Sequence, residues 1–436
     1  MSLIERSFRE RIVLVGVQSW PRGLSEIEES LDELASLVNT AGADEVARVI
    51  QSKNVLDPAT LIGTGKAEEL HLLCEQVDAD TVVFDEDLTP AQHRNLEKIL
   101  GRTAIDRTAV ILDIFAQNAR TEEGCAQVEL AILKYRLPRL RGRGVALSRQ
   151  SAGIGTRGPG ETKLESDRRR ITRRIAGLER QLKALEVKRG VQRKSRERSQ
   201  VPSIALVGYT NAGKSTLLNA LTEANALVQD RLFSTLDSKT KKLILSNGEE
   251  IICSDTVGFV KKLPHQLVES FRSTLEEVRT ADLLLHVVDS HANAPEAQME
   301  AVRQVLHEVN ADEVEELIVF NKADLDSTQA TRLCNLYPGS VVVSAAMKEN
   351  IGELIRIISE RIHATDKCIN LRIPYARGDL LDLLHKKAQI ISENNCETSV
   401  ELKVKIREQF MAKLSPFTVT DDSYGNEHLV IDNLLQ

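Results

Sequence analysis

Short, wholly apolar runs alternate along this chain with longer stretches in which apolar residues return every three or four positions, the pattern of strand–helix units. Ile12–Val17 (IVLVGV) reads as a buried strand, and Leu24–Thr40, with Leu31, Leu34 and Val38 on one face, as a helix ended near Gly42. Thr81–Phe84 is a second strand, followed by the acidic Asp85-Glu86-Asp87, and Pro90 opens a helix carrying Leu96, Ile99 and Leu100. These elements predict a small α/β subdomain over residues 1–107. From Thr108 to about Leu137 one long helical pattern runs up to Pro138. A second helix is expected from Thr162, with Leu164, Ile171, Ile175, Leu178, Leu182 and Leu185 on one face. From Ile171 their spacing alternates four and three, a heptad seam of about three repeats. Both patterns are satisfied by an antiparallel hairpin over 108–198 whose tip, 141–161, is rich in glycine and arginine.

Further apolar runs at Ile204–Val207, Lys242–Leu245, Glu250–Cys253, Leu283–Asp289, Leu317–Phe320 and Val341–Val343 predict a doubly wound, mostly parallel sheet over 199–366. The last stretch, 367–436, combines an extended LRIPY, a helix around Asp379–Lys387, an alternating segment Ser399–Ile406 and a helical REQFMAKL. It reads as a small C-terminal α/β domain.

Charge changes the picture in one place. The net charge is −7, yet between Arg139 and Gln200 about nineteen basic residues face about six acidic ones, leaving about −20 for the remainder. At the tip, Arg143, Arg149, Arg157 and Lys163 can neutralise phosphates, while the glycines let backbone approach a surface closely. With few aromatics to stack on bases, contact with folded RNA through shape and backbone charge is expected there. Lys188–Gln200 reads instead as a solvated basic face and linker. The six cysteines are scattered, without C-x-x-C or metal-ligand spacing. The opening residues carry no signal-peptide core, and no run approaches the ~18 apolar residues of a membrane span, so a cytoplasmic location is expected, with peripheral membrane association as the alternative.

The chemistry lies in four motifs, each at the end of an apolar run. Gly208-Tyr209-Thr210-Asn211-Ala212-Gly213-Lys214-Ser215, continuing into Thr216, matches the phosphate-binding loop between a strand and a helix. There backbone N–H groups cradle phosphates, Lys214 reaches the β- and γ-phosphates, and Ser215 ligates Mg²⁺. Asp255-Thr256-Val257-Gly258 follows at the end of a later strand. Its aspartate is placed to hold Mg²⁺ through water and its Gly258 N–H to sense the γ-phosphate, while Thr235, in the polar stretch between, is a further Mg²⁺ ligand and catalytic candidate. Asn321-Lys322-Ala323-Asp324 can read guanine, whose N1 and N2 hydrogens suit the Asp324 carboxylate and are missing from adenine. Ser344-Ala345-Ala346 offers backbone N–H to the guanine oxygen. By contrast Gly63-Thr64-Gly65-Lys66 only imitates a phosphate loop, since Thr60 stands where the first glycine would be. It reads as a helix N-terminal turn, with an anion contact as the alternative.

Together with DRTAVILDIFAQNARTEEGCAQVELAILKYRLPRL and GIGTRGPGETKLESDRRRI upstream, these motifs resemble the HflX family of translational GTPases over about residues 10–365. The resemblance implies a GTPase that binds the large ribosomal subunit and its RNA and splits stalled ribosomes; the motifs call for GTP and Mg²⁺, and a monomer is expected. A passive GTP-dependent sensor or subunit-assembly factor, and an RNA-remodelling factor using ATP as well as GTP, are the other readings. Phe259 stands where many GTPases carry a water-orienting glutamine, which predicts slow intrinsic hydrolysis completed by a partner. Asn211 is either a turn former or a ligand for K⁺ beside the phosphates.

Overall fold

Strand β1 (Glu10–Gln18) is apolar on both faces, and its alternate side chains feed two separate cores. Ile12 and Leu14 meet Ile27, Leu31 and Leu34 of α1 (Leu24–Ala41), whereas Val13, Val15 and Val17 face the other way. The computed structural model describes residues 9–18, 23–53, 55–140, 163–199, 201–222, 232–233, 239–245, 248–262, 272–364, 366–406 and 411–419. After β2 (Ala43–Ser52) come α2 (Thr64–Gln76), β3 (Thr81–Phe84), α3 (Pro90–Leu100) and β4 (Thr103–Asp106). The four strands form a parallel sheet ordered β2-β1-β3-β4, with α2 and α3 over the Val13 face. Helix α3 starts as its sequence dictates, with Pro90 in its first turn and a reciprocal capping box between Thr89 and Gln92. Neither β2 nor β4 was expected. The first is an edge strand with charges interspersed, ADEVARVIQS, and the second has four residues.

The single helix expected over Thr108 to about Leu137 is two helices, α4 (Arg107–Asn118) and α5 (Glu122–Arg139). Asp106 caps the start of α4, accepting from the Ala109 N–H at 3.0 Å; the break comes where Ala119 turns to extended backbone (ψ 123°) and the Thr121 hydroxyl accepts from the Gly124 N–H at 3.0 Å to start α5. Helix α4 covers the same sheet face as α1, through Val110, Ile111, Ile114 and Phe115. Helix α5 pairs with α6 (Lys163–Ser199) along the expected seam, where Leu178 is buried against Ala126 and Leu130 and is flanked by Ile175 and Leu182. Bidentate Arg174–Glu129 bonds and a Lys134–Glu179 pair fix its register. The linker expected at Lys188–Gln200 is helical through Ser199, a continuation of α6. The hairpin tip, with Arg143, Arg149 and Arg157, lies outside the described residues, and Lys163 is the first residue of α6.

The central unit runs β5 (Ser203–Gly208), α7 (Lys214–Thr222), β6 (Lys239–Ile244), β7 (Glu250–Asp255), α8 (Arg272–Arg279), β8 (Leu283–Asp289), α9 (Pro295–Glu308), β9 (Glu316–Asn321), α10 (Ser327–Leu336), β10 (Val341–Val342) and α11 (Ile351–Ile362). Its sheet order is β10-β9-β8-β5-β7-β6, parallel except for the β6–β7 edge pair. One core lies under α7 and α11; the other is continuous with the α1–α4 core of the N-terminal unit through Phe233, Val257, Phe259 and Val302. The C-terminal unit is a three-stranded antiparallel sheet of β11 (Lys367–Pro374), β12 (Gln389–Asn395) and β13 (Ser399–Ile406), in the order β11-β13-β12. Helix α12 (Gly378–Lys387) packs on it through Leu380 and Leu384, and the short α13 (Met411–Leu414) adds Leu414. Strand β12 was not expected; of REQFMAKL, only residues 411–414 are described. Among the described residues, no helix is long and apolar enough to cross a membrane.

Candidate functional site

The four motifs meet at the C-terminal edge of the central sheet, where parallel strands leave a crevice. Gly208 ends β5 at φ +151°, and a Cβ there would stand 2.2 Å from the Val287 carbonyl oxygen of β8, so only glycine lets the loop leave the sheet this closely. Asn211 is exposed at φ +59°, the left-handed corner a turn-forming asparagine tolerates. Gly213 follows at φ +89°, with its missing Cβ 2.3 Å from Asn321 Nδ2. Ala212 is buried, and Ser215 and Thr216 open α7 half-buried.

Lys214 is buried, and its ammonium donates to the Gly208 and Tyr209 carbonyls at 3.0 and 2.8 Å. Burial draws its pKa down to about 8 against the opposing pull of Asp255. Asp255 ends β7 fully buried, and its Oδ2 accepts from the Ser215 hydroxyl at 2.6 Å. A hydroxyl and a buried carboxylate, both oxygen donors at one point, suit a hard dication such as Mg²⁺. Thr235, the third expected ligand, lies outside the described residues.

After Asp255, the Thr256 hydroxyl donates to the Leu206 carbonyl at 2.6 Å and Val257 is buried. Gly258 lies so close to the loop that a Cβ would meet Thr210 at 2.8 Å and Lys214 Nζ at 3.2 Å. Phe259 laces the two segments together: its N–H donates to Gly208 and its carbonyl accepts from Thr210, at 3.1 and 2.8 Å. The Phe259 ring is buried in the shared core. It is therefore unable to orient a water molecule.

At the other end of the crevice, Asn321 donates from Nδ2 to the Ala212 carbonyl at 2.9 Å and accepts the Ala345 N–H at 3.0 Å, tying base loop to phosphate loop. The Asp324 carboxylate accepts from the Ser344 hydroxyl at 2.6 Å, and that hydroxyl accepts from the Met347 N–H at 3.1 Å. Lys322 sits at φ +63° between them, and Ala346 is exposed. Outside the crevice, Lys66 pairs with Glu69 within α2 and Gly63 stands at φ +85° ahead of the helix, as in a helix-start turn.

One set of contacts, between the phosphate-loop Tyr209, the acidic run at Asp85 and Glu86, and Glu33, Arg107 and Lys262, has no local signal in the sequence. The Tyr209 side chain points away from the phosphate loop, its hydroxyl donating to Glu33 of α1 and accepting the Lys261 N–H at 2.6 Å. Glu33 also pairs with the buried Arg107, which holds Asp85 at 2.7 Å, and Asp85 in turn receives the Lys262 ammonium and the Ser30 hydroxyl. Burial alone would raise the Asp85 pKa, but Arg107 and Lys262 outweigh it and hold it below the usual range. Burial raises Glu86, the second partner of Lys262, and the Tyr209 phenol. Ahead of β6, Phe233 packs on Phe115 of α4 with ring centroids 4.6 Å apart, and its carbonyl accepts from Asn118 at 3.0 Å. The N-terminal unit thus grips the phosphate loop, Lys261 and Lys262 after Gly258, and Phe233.

Three sequence families match the chain: "GTP-binding GTPase N-terminal" over residues 28–116, "GTP-binding GTPase Middle Region" over 118–196, and "50S ribosome-binding GTPase" over 203–322. A protein named GTPase HflX from Caldanaerobacter subterraneus subsp. tengcongensis is 44% identical over 416 residues, 94% of each chain. Another GTPase HflX, from Alkalihalophilus pseudofirmus, is 50% identical over 315 residues, 72% of this chain and 74% of that one. Among solved structures, a GTP-binding protein from Sulfolobus solfataricus in complex with GDP is 23% identical, covers 81% of this chain and 99% of its own, and has a TM-score of 0.42.

Proposed function

The chain belongs to the HflX family of GTPases, and from that premise we propose that it binds the large ribosomal subunit and splits stalled ribosomes, with the ribosome completing its hydrolytic site. The observation that carries this reading is Phe259. A ring packed in the core at the position after Gly258 leaves that position without a side chain to direct the attacking water. Slow turnover alone follows from that arrangement, and fast turnover on the target requires the ribosome to supply the missing group.

Within the crevice, Lys214 and the N–H groups of the loop from Asn211 to Thr216 bind the phosphates. Asn321, Lys322 and Asp324 orient guanine, with the backbone of Ser344, Ala345 and Ala346 toward its oxygen. Ser215 and Thr235 would hold Mg²⁺ directly and Asp255 through water, and the ion when bound would neutralise phosphate charge. Gly258 presents its N–H where the γ-phosphate sits, so loss of that phosphate frees the segment carrying Lys261 and Lys262. Those lysines reach Glu26, Asp85 and Glu86 of the N-terminal unit, which runs on through α4 and α5 into the hairpin. Nucleotide state can thereby reach a tip whose Arg143, Arg149 and Arg157, with Lys163 beside it, contact ribosomal RNA. The protein acts as a monomer in the cytoplasm.

Two measurements test the reading. GTP turnover with purified large subunits should exceed turnover alone by ~10³-fold or more, and light scattering of intact ribosomes should fall when protein and GTP are added. Equal turnover with and without subunits, or intact ribosomes that persist, would defeat it.

A further inference from the structure

Asp289, the last residue of β8, lies opposite Asn321 of β9 in parallel register. Its Oδ2 is 2.7 Å from the Lys322 ammonium, and its Oδ1 accepts the His291 N–H at 3.0 Å, so the carboxylate is held in one orientation. Lys322 needs such a hold, because φ +63° is a conformation that residues with a side chain rarely adopt. The neighbouring Ser290 is fully buried and donates to the Asn321 carbonyl twice, from its hydroxyl at 2.8 Å and its N–H at 3.0 Å. On the far side, the Leu325 N–H closes on the Lys322 carbonyl at 3.0 Å. The left-handed residue is therefore bracketed before, after and at its side-chain end, and Asp324 follows two residues later.

We propose that Asp289 is a positioning residue for guanine recognition, holding Lys322 in its left-handed turn so that Asp324 is presented at a fixed place, with Ser290 bracing the same turn through Asn321. The inference rests on reading Asn321–Asp324 as the base reader. Asp289 acts through Lys322. The two side chains are 20% and 26% exposed, so the pair is only part-buried and its loss should cost less than that of a fully buried pair, leaving the protein folded.

The experiment is competition binding of GDP, XDP and ADP to the full chain and its variants, with thermal unfolding measured alongside. Asp289→Ala should weaken GDP about tenfold and narrow the preference for GDP over XDP by a similar factor, at a melting temperature close to wild type. Asp289→Asn, which keeps an acceptor for the lysine, should recover part of both losses, and Ser290→Ala should move both in the same direction as Asp289→Ala. Asp324→Asn should turn the preference toward XDP. If it leaves guanine preference intact, the base-reader reading itself fails. If it turns the preference while Asp289→Ala leaves discrimination unchanged, or weakens all nucleotides equally with a fall in melting temperature, the positioning role is overturned.

Discussion

Replacing Asp85 by alanine should cost the N-terminal unit ~3 to 5 kcal/mol of folding stability, the range for removing one partner of a buried ion pair. The Asp85 side chain is 0% exposed, and its oxygens meet Arg107 Nη1 at 2.7 Å, the Ser30 hydroxyl at 2.7 Å and the Lys262 ammonium. Arg107 is 2% exposed and would keep Glu33, which also accepts from Tyr209. A guanidinium that loses one of two buried counter-charges cannot recover the solvation it gave up, so the loss is set by desolvation more than by the deleted contacts. That account makes a sharper demand. Once Asp85 is gone, removing Arg107 as well should relieve the strain, so the double variant Asp85→Ala/Arg107→Ala should cost at least ~1 kcal/mol less than the two single changes summed. Urea unfolding followed by circular dichroism supplies the energies, and amide hydrogen exchange across α1 and α4 locates them. Asp85→Ala within ~1 kcal/mol of wild type, or single effects that add to within ~0.5 kcal/mol, would refute the reasoning.

Two further outcomes follow from other sites. His363, bonded through Nδ1 to Asp366 at 2.6 Å and facing Glu249 at 2.9 Å, has its pKa raised from 6.5 to about 9 by those partners against burial. A pKa raised in the folded state contributes stability that is complete below ~6.5 and lost as pH rises through about 9. The melting temperature should therefore fall between pH 7 and 9.5, and His363→Gln should flatten that slope; an unchanged slope would remove His363 as its source. If Asn211 ligates K⁺ beside the phosphates, GTP turnover should be faster in K⁺ than in Na⁺. Equal rates would leave this residue only the left-handed turn in which it sits.

The crevice was legible because each motif is contiguous and its apolar strand sits beside it in sequence. Ile204–Val207 announces the phosphate loop, and Leu317–Phe320 runs directly into Asn321-Lys322-Ala323-Asp324. Other elements carried weaker signals. Strand β2 keeps only its first residue buried and reads as half-polar, and β4 has four residues. The division of α4 from α5 rests on the extended backbone at Ala119 and the cap at Thr121, which helical periodicity cannot show. Lys188–Ser199 looked like a linker because it lacks an apolar face, yet its helical backbone bonds extend α6.

Local order thus determined the apolar strands, where the glycines must fall and which side chains stand at those strands' ends, since hydrophobic period and loop chemistry act over a few residues. Only packing in three dimensions decided that the Tyr209 side chain leaves the phosphate loop for Glu33, 176 positions away in sequence, or that Lys262 crosses to Asp85, 177 positions away. Such contacts have no local pattern. They exist because one apolar core runs from α1 and α4 into the central sheet, and its burial brings distant charges together where they must pair.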